Sequence, residues 1–174
     1  MVSRANKPTG RAGDDAETAA LRFLARQART ESQVRAFLTR RGLSATRIHS
    51  LVGRLVARGY LDDEAFAVRW ARARLTRSPV GRERMEAELC GQGVAPALAR
   101  EVVARLYEEY PESDLAVALL TKRLRRNLKG SSFKAAALLR RAGFDEELIA
   151  HCVESLCGTQ DEWDDHPEDD RQNA

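Results

Sequence analysis

FLTRRGLSATRIHSLVGRL, residues 37–55, recurs in outline as ELCGQGVAPALAREVVARL at 88–106 and as LLRRAGFDEELIAHCVESL at 138–156. The anchoring glycines, Gly42, Gly93 and Gly143, stand 51 and then 50 residues apart. Four residues before each stands Leu38, Leu89 or Leu139, and one after stands Leu43, Val94 or Phe144. Val52, Val103 and Val153 follow ten residues on, with Leu55, Leu106 and Leu156 at thirteen. A glycine just past a helix adopts the left-handed backbone that closes it, and the next residue packs back on the third-last helical one. Each copy supplies that apolar pair. A second helix then follows, signalled by Ser44 and Asp145 as caps and by Pro96 in a first turn. Ile48, Leu51, Val52 and Leu55 share one side of it, as do Val102, Val103 and Leu106 in the next copy.

Upstream of each pair lies another helix, at roughly 15–28, 62–76 and 112–128. Asp62 and Asp63 precede Phe66 as a cap and first-turn acid, and Pro111, Glu112 and Asp114 open the third. Alternating β-branched runs are few. The reading is all-α: three tandem three-helix repeats, at 15–60, 61–110 and 111–157, with a flexible segment 1–14 and an acidic disordered tail 158–174. Repeats of this size have small cores of their own, so neighbours should share faces in an elongated, curved array. Gly42, Gly93, Gly143, Asp62, Asp63 and Phe66 are read as structural.

Composition narrows the function. With 174 residues, 32% charged and three Cys, the chain has no run resembling a membrane span, a signal peptide or a disulfide framework. A cytoplasmic monomer is expected. The net charge of +3 conceals an asymmetry, because residues 161–174 hold seven acids and one base, leaving +9 on residues 1–160. Twenty-five of the 29 bases are Arg, suited to bidentate contacts with phosphate or carboxylate.

Each repeat contains a window without acids. Ser32–Leu61 carries Arg35, Arg40, Arg41, Arg47, Arg54 and Arg58, and Ala65–Arg82 carries Arg69, Arg72, Arg74, Arg77 and Arg82. Leu115–Phe144 holds eight bases, among them Lys122, Arg125, Arg126, Lys129, Lys134, Arg140 and Arg141. In its first helix Val117, Leu120, Leu124 and Leu128 fall on one face, with Lys122, Arg125, Arg126 and Lys129 opposite. Stripes repeated in tandem units form one basic track for an anionic partner. The aromatics Phe23, Phe37, Phe66 and Trp70 fall at core positions, so contacts to backbone phosphate or protein carboxylates are expected rather than base stacking. The tail, at −6, would fold over that track and screen weak DNA contacts.

No catalytic constellation stands out. His151, Cys152 and Cys157 are close in sequence, but Cys152 matches the core positions Leu51 and Val102. Asp62, Asp63 and Glu64 are explained by capping. No P-loop or dinucleotide fingerprint occurs. An enzyme, a metal site and a cofactor are not expected.

GYLDDEAFAVRW (59–70) resembles the G-x-L-D-D-x-x-F-A segment of RecX regulatory proteins, and PVGRERMEAELCGQGV (79–94) and LLRRAGF (138–144) are similar to two later segments. The resemblance spans about 18–157; Gln92 stands where Lys is frequent, and Ala142 intervenes where Arg-Gly is usual. It implies a non-enzymatic modulator of the RecA recombinase that lodges in the groove of the RecA–DNA filament. Filament growth, ATP hydrolysis, strand exchange and coprotease activity would be restrained, in recombinational DNA repair and the SOS response. The expected partners are the RecA filament and, weakly, single-stranded DNA. A direct DNA-binding protein acting without RecA is the alternative, since the helix–turn–helix of 32–57 has the outline of a DNA reader.

Overall fold

The computed structural model describes residues 10–123 and 132–157. Those residues form nine helices and no strand: α1 (Gly10–Arg26), α2 (Glu31–Arg40), α3 (Ala45–Ala57), α4 (Asp63–Arg77), α5 (Arg82–Gly91), α6 (Pro96–Glu109), α7 (Glu112–Arg123), α8 (Ser132–Ala142) and α9 (Glu146–Cys157). Two compact units result. Among the described residues, one holds 10–77 together with Met85–Glu109, and the other holds Ser78–Arg84 with 110–123 and 132–157.

The glycine-ended helices close by paired backbone bonds. Leu43 N–H donates to the Leu38 carbonyl at 3.3 Å and Gly42 N–H to Thr39 at 2.9 Å, with Gly42 at φ 79°. Val94→Leu89 (3.2 Å) with Gly93→Cys90 (2.9 Å), and Phe144→Leu139 (3.2 Å) with Gly143→Arg140 (3.0 Å), repeat the pattern. These are Schellman endings, which satisfy carbonyls that a helix end otherwise leaves bare. A fourth closes α3, through Tyr60→Leu55 and Gly59→Val56, both at 2.9 Å. It lies outside the repeat pattern because no apolar pair seals it, the Tyr60 side chain being 54% exposed.

In the first unit, Ala16 and Ala20 of α1, Val34 and Leu38 of α2 and Ile48, Leu51, Val52 and Leu55 of α3 form a buried cluster closed by Leu61. α4 adds Phe66, Ala67, Ala71 and Leu75, and α6 adds Ala99, Val102, Val103 and Leu106. In the second unit the core is Leu115, Ala116, Leu119 and Leu120 of α7, Ala135 and Leu139 of α8, and Phe144, Ile149 and Cys152. Each fully buried Leu contributes roughly 1.5–3 kcal/mol.

Two expectations need correction. α1 begins at Gly10, not near residue 15, because its first turn is polar and carries no apolar mark of a helix. In α7 the buried stripe is Leu115, Ala116, Leu119 and Leu120, while Val117 is 38% exposed. Apolar residues occur nearly all round this helix, so periodicity alone does not select its inner face. Leu124 and Leu128, Arg125, Arg126 and Lys129, and the tail 158–174 lie outside the described residues.

Within each unit the start of a middle helix is bound in the same way. In the first, Glu31 N–H at the start of α2 donates to Asp63 Oδ1 at the start of α4, at 2.8 Å. In the second, Arg82 N–H at the start of α5 donates to Glu112 Oε1 at the start of α7, also at 2.8 Å. Helix N-terminal N–H groups have no intrahelical partner, so a carboxylate borrowed from another helix both caps and fastens. A second bond reaches the glycine turn: Thr30 Oγ1 donates to the Gln92 carbonyl at 3.0 Å, and Gly81 N–H donates to Ala142 at 3.0 Å. Backbones come close there. A Cβ on Gly93 would lie 2.7 Å from Ser32 Cβ, and one on Gly143 would lie 2.7 Å from Arg84 Cβ.

Two stability predictions follow from these contacts. Gly42 has open space around it, so Gly42→Ala costs about 1–2 kcal/mol for its left-handed backbone alone. Gly93→Ala adds the collision with Ser32, and its urea midpoint should fall clearly below that of Gly42→Ala. For Asp63, burial is the main cause that raises the carboxyl above its ordinary value. Its stabilising contribution is therefore complete below the ordinary carboxylate range and is lost as pH rises through the raised value. Asp63→Asn keeps an acceptor for Glu31 N–H without the charge. It should exceed the wild type in stability at neutral pH and lose that advantage as pH falls, whereas Asp63→Ala loses about 1 kcal/mol. Urea unfolding of the three proteins across a pH series measures both effects.

Candidate functional site

The acid-free windows of the sequence are not acid-free in space. Arg54 of α3 and Arg58, the residue that caps its C-terminus, share Glu17 of α1, at 3.0 Å to Oε2 and 2.6 Å to Oε1. The hydrogen bond from Arg54 is the main cause holding the Glu17 carboxyl below its ordinary range. Arg35 pairs with Glu31 at 3.0 Å and Arg72 with Glu109 at 2.8 Å. Arg140 Nε reaches Glu146 at 2.5 Å, keeping that carboxyl low. The Arg74–Glu88 pair, at 2.6 Å, is more enclosed and joins α4 to α5 in the first unit. Arg82 reaches Glu112 at 3.7 Å, beside the backbone bond that already ties them.

Several further bases are exposed. Arg40, Arg69, Arg141 and Lys134 are exposed and make no ion pair among the described residues. Arg41 is also without one, and its guanidinium lies 5.2 Å from the centroid of Phe37. Arg47, Arg77 and Lys122 are exposed. Each unit thus presents exposed cations, some free and some held by carboxylates that are themselves partly exposed. Exposed pairs of this kind contribute about 0–1 kcal/mol, so a polyanion can displace the internal carboxylate at little cost. The first unit brings Arg40, Arg41 and Arg47 to the α2–α3 corner and Arg54 and Arg58 to the end of α3; Arg69, Arg72 and Arg77 follow along α4. The second unit carries Lys122 on α7 and Lys134, Arg140 and Arg141 on α8.

The residues read as structural act locally. Asp62 Oδ1 accepts from Ala65 N–H at 2.8 Å and caps α4, while neighbouring Asp63 reaches to α2. Phe66 is buried. Among the described residues no group of three His, Cys, Asp or Glu is placed to hold a metal. Cys90 is exposed, whereas burial of Cys152 pushes its thiol up. No described helix is long and apolar enough to cross a membrane.

Sequence reasoning missed one cluster. Phe23 and Phe37 are half-buried and pack against the first-unit core, as expected, but their rings also stack with centroids 4.4 Å apart and planes 2° from parallel. Arg29 sits 4.5 Å from the Phe23 centroid. The signal was present: residues 18–30 form a further acid-free run, with Arg22, Arg26 and Arg29 at i, i+4 and i+7.

Family models described as "RecX, first three-helix domain" and "RecX, second three-helix domain" match residues 16–55 and 62–103. The regulatory protein RecX of Treponema pallidum (strain Nichols) is 32% identical over 139 residues, covering 80% of this chain and 84% of its own. That of Mycobacterium sp. (strain JLS) is 32% identical over 148 residues, 80% of each chain. The crystal structure of RecX from Lactobacillus salivarius shares the fold, with a TM-score of 0.71, 21% identity, and coverage of 83% of this chain and 96% of that one.

Glu17 offers a direct check on the shared ion pairs. Glu17→Gln releases Arg54 and Arg58 together, so the variant should leave immobilised heparin at higher salt than the wild type. Its stability should change by no more than about 1 kcal/mol. Earlier elution would show that the two guanidiniums do not face a polyanion.

Proposed function

The chain belongs to the RecX family of regulatory proteins, and from that premise we propose that it is a non-enzymatic regulator of RecA nucleoprotein filaments in recombinational DNA repair and the SOS response. On this reading it acts in the cytoplasm and restrains filament growth, ATP hydrolysis, strand exchange and coprotease activity. The observation that carries the reading is the set of exposed guanidiniums spread over the all-α repeats, with no catalytic constellation beside them among the described residues. A RecA–DNA filament offers regularly repeated anionic groups, as protein carboxylates and as DNA phosphates, and tandem repeats carrying cations suit such a partner. The proposed contact residues are Arg40, Arg41, Arg47, Arg54, Arg58, Arg69, Arg72 and Arg77 of the first unit. Lys122, Lys134, Arg140 and Arg141 of the second join them, with Arg125, Arg126 and Lys129 from the stretch outside the described residues.

Two titrations decide between this role and direct DNA binding. One follows RecA's single-stranded-DNA-dependent ATP hydrolysis as the protein is added, and the other follows binding to the same DNA alone. Inhibition well below the concentration that saturates bare DNA is the expected result. Inhibition only at saturation would mean competition for the strand, and the direct DNA-binding reading would replace this one.

A further inference from the structure

Unpaired cations of the two units keep different company. In the first, Arg22, Arg26 and Arg41 line a groove between α1 and α2 with no carboxylate among its walls. In the second, they flank an aromatic ring. Phe133, in the first turn of α8, is 83% exposed, against 38–54% for the other exposed large hydrophobic residues among those described. Ala135, Leu139 and Ala142 form the buried side of α8. At about 100° per residue, Phe133, Arg140 and Arg141 fall on the opposite side, with Lys134 at its edge. The helix carries these three cations and no acid. Arg140 is held by Glu146, while Lys134 and Arg141 make no ion pair among the described residues. The first turn, where an acid is favourable, has Lys134 instead. A ring left almost wholly in water between unscreened cations suits a cover that is apolar and acidic at once.

The chain itself supplies one. Residues 161–165 read Asp-Glu-Trp-Asp-Asp, an indole between two pairs of acids, at the head of a stretch to 174 with seven acids and one base. That stretch follows α9, which packs against α8 and is joined to it by the turn at 143–145. Extended, residues 158–163 span at most about 20 Å beyond Cys157. Neither helix is that long, at roughly 16 and 18 Å, so Trp163 comes within range of the start of α8. Tethering also raises the effective concentration to about millimolar, so a contact too weak to hold a free peptide is filled. A second copy offering the same α8 face would set cations against cations.

We infer that the outer face of α8 is the docking site of the chain's own C-terminal tail, with the Trp163 indole covering the Phe133 ring and its flanking acids set on Lys134 and Arg141. The docked tail withholds these cations from other polyanions until a stronger one displaces it. This goes beyond the RecA reading, since the docking needs no filament; under that reading, filament and tail compete for Lys134 and Arg141.

The test contains neither RecA nor DNA, so its failure and that of the filament reading are distinguishable. Trp70 and Trp163 are the two tryptophans of the chain. Acrylamide quenching is followed in full-length Trp70→Phe, where Trp163 is the sole indole, and in a free peptide of residues 158–174. The difference between the wild type and Trp163→Phe supplies the same signal without touching Trp70. At low salt the Trp163 quenching constant should be at least threefold below that of the peptide. On the Trp70→Phe background, Phe133→Ala and Lys134→Gln/Arg141→Gln should each raise it at least twofold. The charge-matched Arg40→Gln/Arg69→Gln should leave it unchanged, and circular dichroism checks that each variant is folded. Quenching of the full chain at the peptide's rate would overturn the docking, and protection that survives both α8 changes would overturn the site. Equal effects of the two double variants would reduce the contact to net charge and overturn it as well. Protection that grows with protein concentration would point to the tail of a second copy and sink the intramolecular contact.

Discussion

The hydrogen bond that a helix-starting N–H makes to a carboxylate on a different helix is the constraint on which the rest of each unit depends. An α-helix begins with N–H groups that its own backbone cannot satisfy. Here α2 and α5 solve that need with Asp63 and Glu112, residues that themselves open α4 and α7. One interaction therefore ends an unmet demand, fixes where two helices start relative to each other, and brings the glycine turn of the following repeat into contact. Thr30 with Gln92, and Gly81 with Ala142, complete the joint using whatever donor the position offers, a hydroxyl in one case and a backbone N–H in the other. The chemistry of the joint recurs although its residues do not.

Local features of the fold were legible in the sequence because a Schellman ending is complete within six residues. Leu38, Gly42 and Leu43 hold all the information that closes α2, and the same holds at Gly93 and Gly143. Asp62 was legible for the same reason, since its cap is three residues long. Asp63 was not, because its partner Glu31 lies 32 residues away and nothing in the local pattern marks it. The inner face of α7 was hidden differently: Leu115, Val117, Leu119 and Leu120 leave no polar side from which a period could be measured. Only packing against the rest of the second unit leaves Val117 outside.

The candidate site was legible in composition and not in arrangement. Counting acids along the chain separates Arg54 and Arg58 from any carboxylate, yet Glu17 reaches both from 37 and 41 residues away. The aromatic pair packs against the core as its hydrophobicity predicts, but hydrophobicity does not say how far it withdraws from water. Phe23 and Phe37 are half-covered, and the covering is partly guanidinium.

The paired and unpaired arginines answer different physical demands. A basic surface that meets a polyanion must not bind every polyanion equally, and an exposed internal carboxylate lowers the cation's affinity at a cost of about 1 kcal/mol or less when it is displaced. Arg54 and Arg58, sharing one such carboxylate, act as a surface whose charge is available only to a partner able to compete for both. Arg22, Arg26 and Arg41 carry no such competitor among the described residues, so an anion entering their groove meets full charge from the first contact. The stacked rings beside it are covered by each other and by Arg29 and Arg41, so they hold the guanidiniums in place. Screened pairs on α3 and α4 and unscreened guanidiniums between α1 and α2 thus give the first unit two grades of available positive charge.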